Sequence, residues 1–343
     1  MKILVGISGG VDSAFAAKLL LERGDEVVGC ILRMHEYSDI EGAERVAREL
    51  GIKLVVLDLC ERFDREIKTY FVDEYLCGRT PNPCIVCNER VKFAALYEYA
   101  EKMGFDKLAT GHYAKIISEP LADNSSRHVL CRAADYTKDQ SYMLYRLPEY
   151  ILAKTEFPLG ELTKEEVRRQ TLERGLSVAD AADSQEICFL PDGGYPEYIE
   201  SVAGKSPAGD FVDDFGVVLG KHNGIIRYTV GQRKGLGISL GKRMFVSSIN
   251  PEKNTVTLSD NIKGREQISL SRVVFSAGES VKSLQGRVLK AKLRYTAPLV
   301  DIAECLHSDT GLIIKLAAEA KAAPGQSAVV YDGERVVFGG FID

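Results

Sequence analysis

The chain is organised around the stretch Ser8-Gly9-Gly10-Val11-Asp12-Ser13. The apolar run before it, residues 3–7, is typical of a short buried strand, and the apolar residues after it recur at helical spacing. The stretch is therefore predicted to join a strand to a helix, where unpaired N–H groups and the helix dipole attract anions. Adjacent glycines let a phosphate approach the backbone, so we expect a phosphate or pyrophosphate site here.

Strands and helices alternate from residue 1 to about residue 117. Further strands are predicted at residues 27–32, 54–57 and 107–110, and helices at 40–50, 63–76 and 91–103. This alternation is typical of a parallel sheet covered on both faces, in which ligands bind beyond the carboxyl ends of the strands. The opening loop and Gly111 both follow strands, so we expect them to face one pocket.

The pattern changes near residue 200. Short β-rich runs broken by Gly, Asn and Pro continue to Asp343 and are typical of small barrels or sandwiches. No stretch is apolar enough to span a membrane, and the first strand begins too early to leave room for a signal peptide. Eight scattered cysteines do not resemble a disulfide framework. We therefore expect a cytoplasmic protein with no membrane partner.

The net charge of −5 argues against a protein that coats nucleic acid over its whole surface. It leaves room for a local basic face, because two segments of the second half contain basic residues and no acidic ones. The first is Lys221, Arg227, Arg233, Lys234, Lys242 and Arg243; the second is Lys282, Arg287, Lys290, Lys292 and Arg294. Ordinary solvated lysines and arginines are the alternative explanation for either segment.

A loop stiffened by two prolines carries Cys84 and Cys87 at C-x-x-C spacing. This spacing lowers the pKa of one thiol or chelates a metal, but a second Cys/His pair for a zinc site is missing. The residues therefore favour a reactive-thiol site, with incidental buried cysteines as the alternative. Cys188 is a further candidate thiol, although the sequence alone does not place it near Cys87.

The opening loop lacks the Gly-Lys-Ser/Thr of a Walker A motif and resembles the PP-loop of ATP pyrophosphatases. Further segments extend the resemblance, in order and along essentially the whole chain, to the MnmA-type tRNA 2-thiouridylases. They are Gly78–Pro83, Cys87-Asn88, Lys92-Phe93, Ala109–Tyr113, Lys138–Tyr142, Asp183-Ser184, Ile187–Phe189, Tyr228–Gly237, Arg294-Tyr295 and Pro324–Val329.

The resemblance implies cofactor and substrate residues. ATP and Mg²⁺ are expected, with Asp12 helping to hold the metal. The ATP residues implied are Gly6, Ile7, Ser8, Gly9, Gly10, Val11, Asp12, Ser13, Leu32 and Gly111. The target base is expected at Asn82, Pro83 and Cys84, and the rest of the tRNA at Lys138, Asp139, Gln140, Arg294 and Tyr295.

The resemblance also implies a reaction, the exchange of the O2 of uridine 34 in tRNA for sulfur. ATP adenylates the oxygen, and Cys188 carries sulfur as a persulfide received from a cysteine desulfurase or sulfur-relay protein. Cys87 is the second thiol, acting either before or after sulfur reaches the base, and both orders end in a Cys87–Cys188 disulfide. The expected tRNAs carry Lys, Glu or Gln type anticodons.

Two positions depart from the family pattern. Many members have Asp where this chain has Cys84, and a third thiol beside Cys87 and Cys188 would supply three ligands for a [4Fe–4S] cluster. The cluster is thus an alternative to the persulfide. The connection from Leu32 to Ile40 is short, and Leu32 replaces a Met that contacts adenine in the family.

We therefore expect an α/β fold: a parallel-sheet PP-loop domain, a small central β-rich domain and a C-terminal β-barrel. The boundaries are residues 1–200, 201–266 and 267–343. An amide-forming PP-loop ligase is a rival that predicts no dependence on Cys87 or Cys188. An RNA-binding module with a relic ATP site is a second rival, and it predicts tRNA binding without pyrophosphate release.

Overall fold

The computed structural model describes the whole chain except residues 122–125, 180–186, 191–193, 240, 262 and 309–310. Its first sheet is parallel and has the strand order β3-β2-β1-β4-β7, with β1 in the centre. The strands are β1 (Lys2–Gly6), β2 (Glu26–Arg33), β3 (Lys53–Asp58), β4 (Lys107–Ala109) and β7 (Thr155–Glu156). An antiparallel hairpin, β5 (Lys115–Pro120) and β6 (Ser126–Cys131), leaves this sheet between β4 and β7.

Helices cover both faces of the sheet, as the alternating pattern predicts. The α-helices described in the chain are α1 (Val11–Glu22), α2 (Ile40–Leu50), α3 (Cys60–Phe63), α4 (Thr69–Leu76), α5 (Pro83–Cys87), α6 (Phe93–Lys102), α7 (Ser141–Leu144), α8 (Glu149–Lys154), α9 (Lys164–Glu173) and α10 (Tyr195–Ala203). Helices α1, α2 and α9 share one core with β1. Helices α6 and α8 share the core on the opposite face.

One helix begins earlier than the sequence pattern indicates. A π-helical turn, Asn88–Lys92, joins α5 to α6, so the helix expected at residue 91 starts at Pro83. Asn82 caps it by accepting a hydrogen bond from the backbone N–H of Cys84 at 3.2 Å, and proline suits the first helical position because its missing N–H is not needed there. The C-x-x-C motif therefore lies on the first turn of a helix.

The central region forms a four-stranded sheet with the order β10-β11-β8-β9. Its strands are β8 (Gly209–Val212), β9 (Val218–His222), β10 (Phe245–Asn250) and β11 (Thr255–Ser259). Its core residues Phe211, Val246 and Val256 pack in one cluster with Phe71 of α4. This packing brings the central region against the helices around the C-x-x-C motif.

The last six strands close into a barrel, because β12 pairs with both β15 and β17. They are β12 (Arg265–Phe275), β13 (Leu289–Lys292), β14 (Val300–Ser308), β15 (Gly311–Ala320), β16 (Ser327–Asp332) and β17 (Arg335–Ile342). Strand β17 also pairs with β6 through Arg335 and Cys131. The expected fold, a parallel-sheet domain followed by β-rich regions and a barrel, is confirmed, while the three domain boundaries stay predictions.

Candidate functional site

The glycine-rich loop lies between β1 and α1. Gly10 is the N-cap residue of α1 and has an extended backbone. Glycine has no side chain that could cap the helix, so the first helical N–H groups have no side-chain cap. The Ser13 hydroxyl accepts a hydrogen bond from the backbone N–H of Ser8 at 3.1 Å and donates one to the carbonyl of Gly10 at 3.1 Å. These bonds fix the shape of the loop, and the anion site that its sequence predicts there stays a prediction.

Gly111 packs directly against this loop. It follows β4, which pairs with β1, and a Cβ built on Gly111 would lie 2.6 Å from the carbonyl carbon of Asp12 and 2.7 Å from the nitrogen of Ser13. The close approach therefore requires glycine at this position. As expected, the ends of β1 and β4 bring the two segments together at one edge of the sheet.

The Asp12 carboxylate is held by two neighbours. The Lys164 ammonium lies 2.8 Å from each carboxylate oxygen, and the Tyr113 hydroxyl donates to Oδ1 at 2.8 Å. Lys164 is buried at the start of α9, and it lines one pocket with Lys138 and Arg168. A positive charge therefore lies beside the predicted anion site, and any metal ion at Asp12 competes with Lys164 for the carboxylate.

The segment 138–140 is tied to the same network. The Gln140 side chain accepts a hydrogen bond from the backbone N–H of Tyr113 at 2.8 Å. Asp139 is only 2 % exposed, and its carboxylate accepts bonds from Arg132 at 3.0 Å and from the N–H of Ser141 at 3.1 Å. The Asp139 side chain is thus engaged inside the protein, and the tRNA contact expected of this residue stays a prediction.

The expected base-binding residues start helix α5. Besides capping the helix, Asn82 directs its side-chain amide to the sulfur of Met143 at 3.3 Å. Pro83 is buried, and Cys84 on the next position is exposed. The three residues therefore present one exposed thiol beside a fixed helix start.

Cys87 lies one turn further into the same helix and is buried, with its Sγ 3.8 Å from the sulfur of Met34. Burial raises the pKa of the Cys87 thiol to about 12, although the nearby Lys92 acts in the opposite direction. Cys188 is exposed, and its charge interacts with that of Cys87. Its neighbour Phe189 belongs to the same apolar cluster as Cys87. The structure thus places the two thiols, which the sequence alone did not connect, within range of an electrostatic interaction.

Lys92 lies near Cys84, Cys87 and Cys188, the three thiols that define the cysteine pocket. Its charge interacts with the thiols of Cys84, Cys87 and Cys188, and within the described residues no carboxylate forms an ion pair with it. Burial acts to lower its pKa, but these thiols raise it, so the ammonium stays charged. Burial and the same ammonium lower the pKa of His112 to about 3, which keeps that imidazole neutral.

The remaining predicted residues lie at the rim of the site or outside it. Arg294 is exposed, and Tyr295 on the barrel interacts electrostatically with Cys84. Leu32 lies near the carboxyl end of β2, packed partly into the core beside β1. Asp183 and Ser184 fall outside the described residues.

No group of three or more His, Cys, Asp or Glu side chains in the described ranges is placed to hold a metal ion. The iron–sulfur cluster and the Mg²⁺ at Asp12 both stay predictions, and the Asp12 carboxylate is paired with Lys164.

Sequence reasoning missed two residues. Lys164 opens an ordinary-looking amphipathic helix, and only the Thr163 cap marks its start. Lys92 stands out in the sequence only as part of a family motif. The π-helical turn before it shifts the helical register, so its position near the thiols could not be read from a regular helical spacing.

The glycine-rich loop at the switch point of a parallel sheet defines a nucleotide-binding domain of the PP-loop class. Family models match residues 1–192 as "tRNA methyl transferase HUP domain", 196–260 as "tRNA methyl transferase PRC-barrel domain" and 265–342 as "Aminomethyltransferase beta-barrel domain".

Three relatives that match this chain over its full length carry the same name. Proteins named tRNA-specific 2-thiouridylase MnmA from Acetivibrio thermocellus, Clostridioides difficile and Treponema denticola are 42%, 41% and 41% identical to this chain. The matches cover 99% or 100% of this chain and 98% or 99% of each relative. The chain belongs to the MnmA family of tRNA-specific 2-thiouridylases, which are sulfurtransferases. Across the residues that the structure describes, no helix combines the length and apolarity needed to cross a membrane.

Proposed function

We propose that this protein replaces the O2 of uridine 34 in tRNA with sulfur at the expense of ATP. The observation that carries the proposal is the pairing of an anion-binding loop with a cysteine pocket in a chain that resembles 2-thiouridylases over its full length. The substrates proposed are tRNAs with Lys, Glu or Gln type anticodons, and the protein is proposed to act in the cytoplasm.

The first step activates the base. ATP lies with its phosphates at residues 8–13 and Gly111, and Leu32 lies toward the adenine. The uracil O2 attacks the α-phosphorus, the bond to the β-phosphate oxygen breaks, and pyrophosphate leaves. The helix N-terminus and Lys164 stabilise the charge on the phosphates. Asp12 offers the oxygen ligands that Mg²⁺ prefers, and a bound metal ion would neutralise charge on the leaving group.

The second step transfers sulfur. A persulfide donor protein loads Cys188. The Cys87 thiolate attacks Cys188 Sγ, the bond to the terminal sulfur breaks, and its electron pair leaves with hydrosulfide. The hydrosulfide adds to C2 of the adenylated base, AMP departs with the former O2, and a proton is released. In the alternative order the persulfide attacks C2 first, and Cys87 then frees the thiolated base. Either order leaves a Cys87–Cys188 disulfide, which a thiol reductant must reopen.

Lys92 supports this chemistry electrostatically, because its ammonium interacts with the sulfur atoms that become negatively charged. The base is proposed to bind at Asn82, Pro83 and Cys84 after leaving the anticodon stack. Lys138, Asp139, Gln140, Arg294 and Tyr295 are proposed to contact the tRNA. No step is assigned to an iron–sulfur cluster, which stays the alternative to the persulfide.

Cysteine variants test the division between the two steps. Cys87→Ser and Cys188→Ser are expected to release pyrophosphate from ATP with tRNA present but to form no 2-thiouridine. Cys77→Ser is the matched control, since Cys77 is an exposed cysteine at the end of α4. Full thiolation by both variants would contradict the roles proposed for the two thiols. An ATP-dependent activity that both variants retain, with no 2-thiouridine formed even by the wild-type protein, would instead favour an amide-forming ligase. Stoichiometric iron and sulfide after anaerobic purification, lost in Cys84→Ser, would contradict the persulfide route.

A further inference from the structure

A turn of the C-terminal barrel grips the loop that leads to the proposed base-binding residues. The backbone N–H of Thr80 donates to the carbonyl of Pro324 at 2.9 Å. The side-chain amide of Gln326 donates to the carbonyl of Thr80 at 2.7 Å. Both backbone polar groups of Thr80 are therefore bound by one turn, residues 324–326, which lies 244 or more positions away in the chain.

The contact is also sterically close. Gly325 has a φ of +88°, and a Cβ built on it would lie 2.9 Å from the nitrogen of Thr80 and 3.0 Å from both the carbonyl carbon of Thr80 and the Cβ of Arg79. The turn itself is anchored to the last strand, because Gly325 donates to Ile342 at 2.9 Å and Ile342 donates to Gln326 at 2.8 Å. The turn thus behaves as a rigid part of the barrel.

The loop is held from its other sides as well. Arg79 forms a two-point ion pair with the buried Glu74 at 2.7 and 2.9 Å, and Arg272 of the barrel lies 3.6 Å from the same carboxylate. A Cβ on Gly78 would approach the side chain of Ile249, in the central region, to 2.9 Å. All three regions of the protein therefore meet at this one segment.

Directly after Thr80 the chain reaches the start of helix α5. Pro81 and Pro83 fix two backbone φ angles, so little slack separates Thr80 from Asn82 and from the helix that carries Cys84 and Cys87. We propose that the turn Pro324–Gln326 is a positioning element for the base-binding loop, through which the barrel sets the place of Asn82 and of the reactive helix. This inference rests on the proposed function for its catalytic meaning, while the mechanical coupling stands on the contacts alone.

The test compares two glycines that both have a positive φ. Gly325→Ala must move its contacts from 2.9 Å to an ordinary distance of at least 3.4 Å, a shift of about half an ångström. Gly333→Ala is the matched control: it lies in the turn between β16 and β17 with a φ of +59°, and a Cβ there meets nothing within 4 Å. Gln326→Leu is a second variant that removes the hydrogen bond to Thr80 without backbone strain.

The first readout is hydrogen exchange at the Thr80 amide, which needs no substrate. Gly325→Ala and Gln326→Leu are expected to speed exchange there at least tenfold, and Gly333→Ala is not. The second readout is kcat for thiolation, expected to fall about tenfold in Gly325→Ala with tRNA affinity within threefold of wild type, because catalysis loses about 100-fold per ångström of misplacement.

If hydrogen exchange at the Thr80 amide is as slow in Gly325→Ala and Gln326→Leu as it is in Gly333→Ala, the proposal is overturned, whatever the substrate proves to be. A faster exchange with unchanged kcat overturns the positioning role. If the wild-type protein thiolates no tRNA while exchange at Thr80 still distinguishes Gly325→Ala from Gly333→Ala, the proposed function fails and the coupling between barrel and loop stands.

Discussion

Replacing Gly111 with alanine tests the nucleotide site most sharply, because the effect is purely steric. Gly111 does not have a positive φ, so alanine meets no backbone penalty there. Its Cβ would lie 2.6 Å from the carbonyl carbon of Asp12, 2.7 Å from the nitrogen of Ser13 and 2.9 Å from the carbonyl oxygen of Asp12. All three atoms belong to the backbone of the anion-binding loop, so no side chain can rotate away.

The size of the effect can be worked out from these distances. An ordinary contact needs about 3.4 Å, so β4 and the start of α1 must separate by about 0.8 Å. Such a displacement is expected to weaken catalysis between tenfold and 100-fold through misplaced phosphates. Overpacking of this kind costs about 1–3 kcal/mol of folding free energy, which a domain of this size tolerates.

Titration calorimetry with ATP and release of pyrophosphate in the presence of tRNA measure the two losses. Gly104→Ala is the matched control, since Gly104 lies just before β4 with a φ of +67° and a Cβ on it would meet nothing within 4 Å. That variant is expected to stay within threefold of wild type. A folded Gly111→Ala protein that binds ATP as wild type does would refute the close packing of β4 against the loop, as would equal losses in both variants.

Three further outcomes are expected. Lys164→Met leaves the Asp12 carboxylate without its ion pair and beside the phosphates, so the Kd for ATP should rise about tenfold or more in calorimetry. Because burial raises the pKa of Cys87 to about 12, its alkylation rate should increase about tenfold per pH unit from pH 7 to 9 with no plateau. Arg233 and Arg243 are exposed beside one pocket, and replacing both with Gln should lower the slope of log K for tRNA against log salt by about 1.5.

Controls for these outcomes are available in the chain. Lys164→Arg should retain part of the ATP affinity, and an equal loss in both lysine variants would contradict the charge argument. A plateau of alkylation below pH 9 would mean that Cys87 is not held as a buried thiol. Lys221→Gln is the control for the arginines, because its ammonium already pairs with Asp210 at 2.6 Å. An unchanged salt slope in the double variant would remove this pocket from the tRNA surface.

The parallel sheet could be predicted well from the sequence because its signals are local. Apolar strands alternate with helices closed by glycines such as Gly51, which adopts the left-handed conformation that ends α2. The sequence could not predict that hairpin β5–β6 leaves this sheet to pair with β17, since that pairing joins residues about 200 positions apart and has no local signature.

In the candidate site, too, the sequence predicts the features that have local signals and misses those that depend on long-range packing. Six residues are enough to predict an anion-binding loop, but the pairing of Lys164 with Asp12 depends on the packing of α9 against α1. The two prolines near the C-x-x-C motif predict a loop, whereas Asn82 and Pro83 cap and start a helix there. Only the structure separates the paired from the unpaired residues of the first basic segment. Lys221 and Arg227 form ion pairs with carboxylates, and in the described part of the chain Arg233 and Arg243 form none.

The central claim is that ATP activation and sulfur transfer take place on one uracil ring. The most direct measurement incubates the protein with tRNA, ATP and a persulfide donor, and then quantifies 2-thiouridine at position 34 by nucleoside mass spectrometry alongside AMP. The account predicts equal amounts of AMP and 2-thiouridine, both lost when uridine 34 is replaced by cytidine. Release of AMP with an unmodified uridine 34, or thiolation that proceeds without ATP, would contradict it.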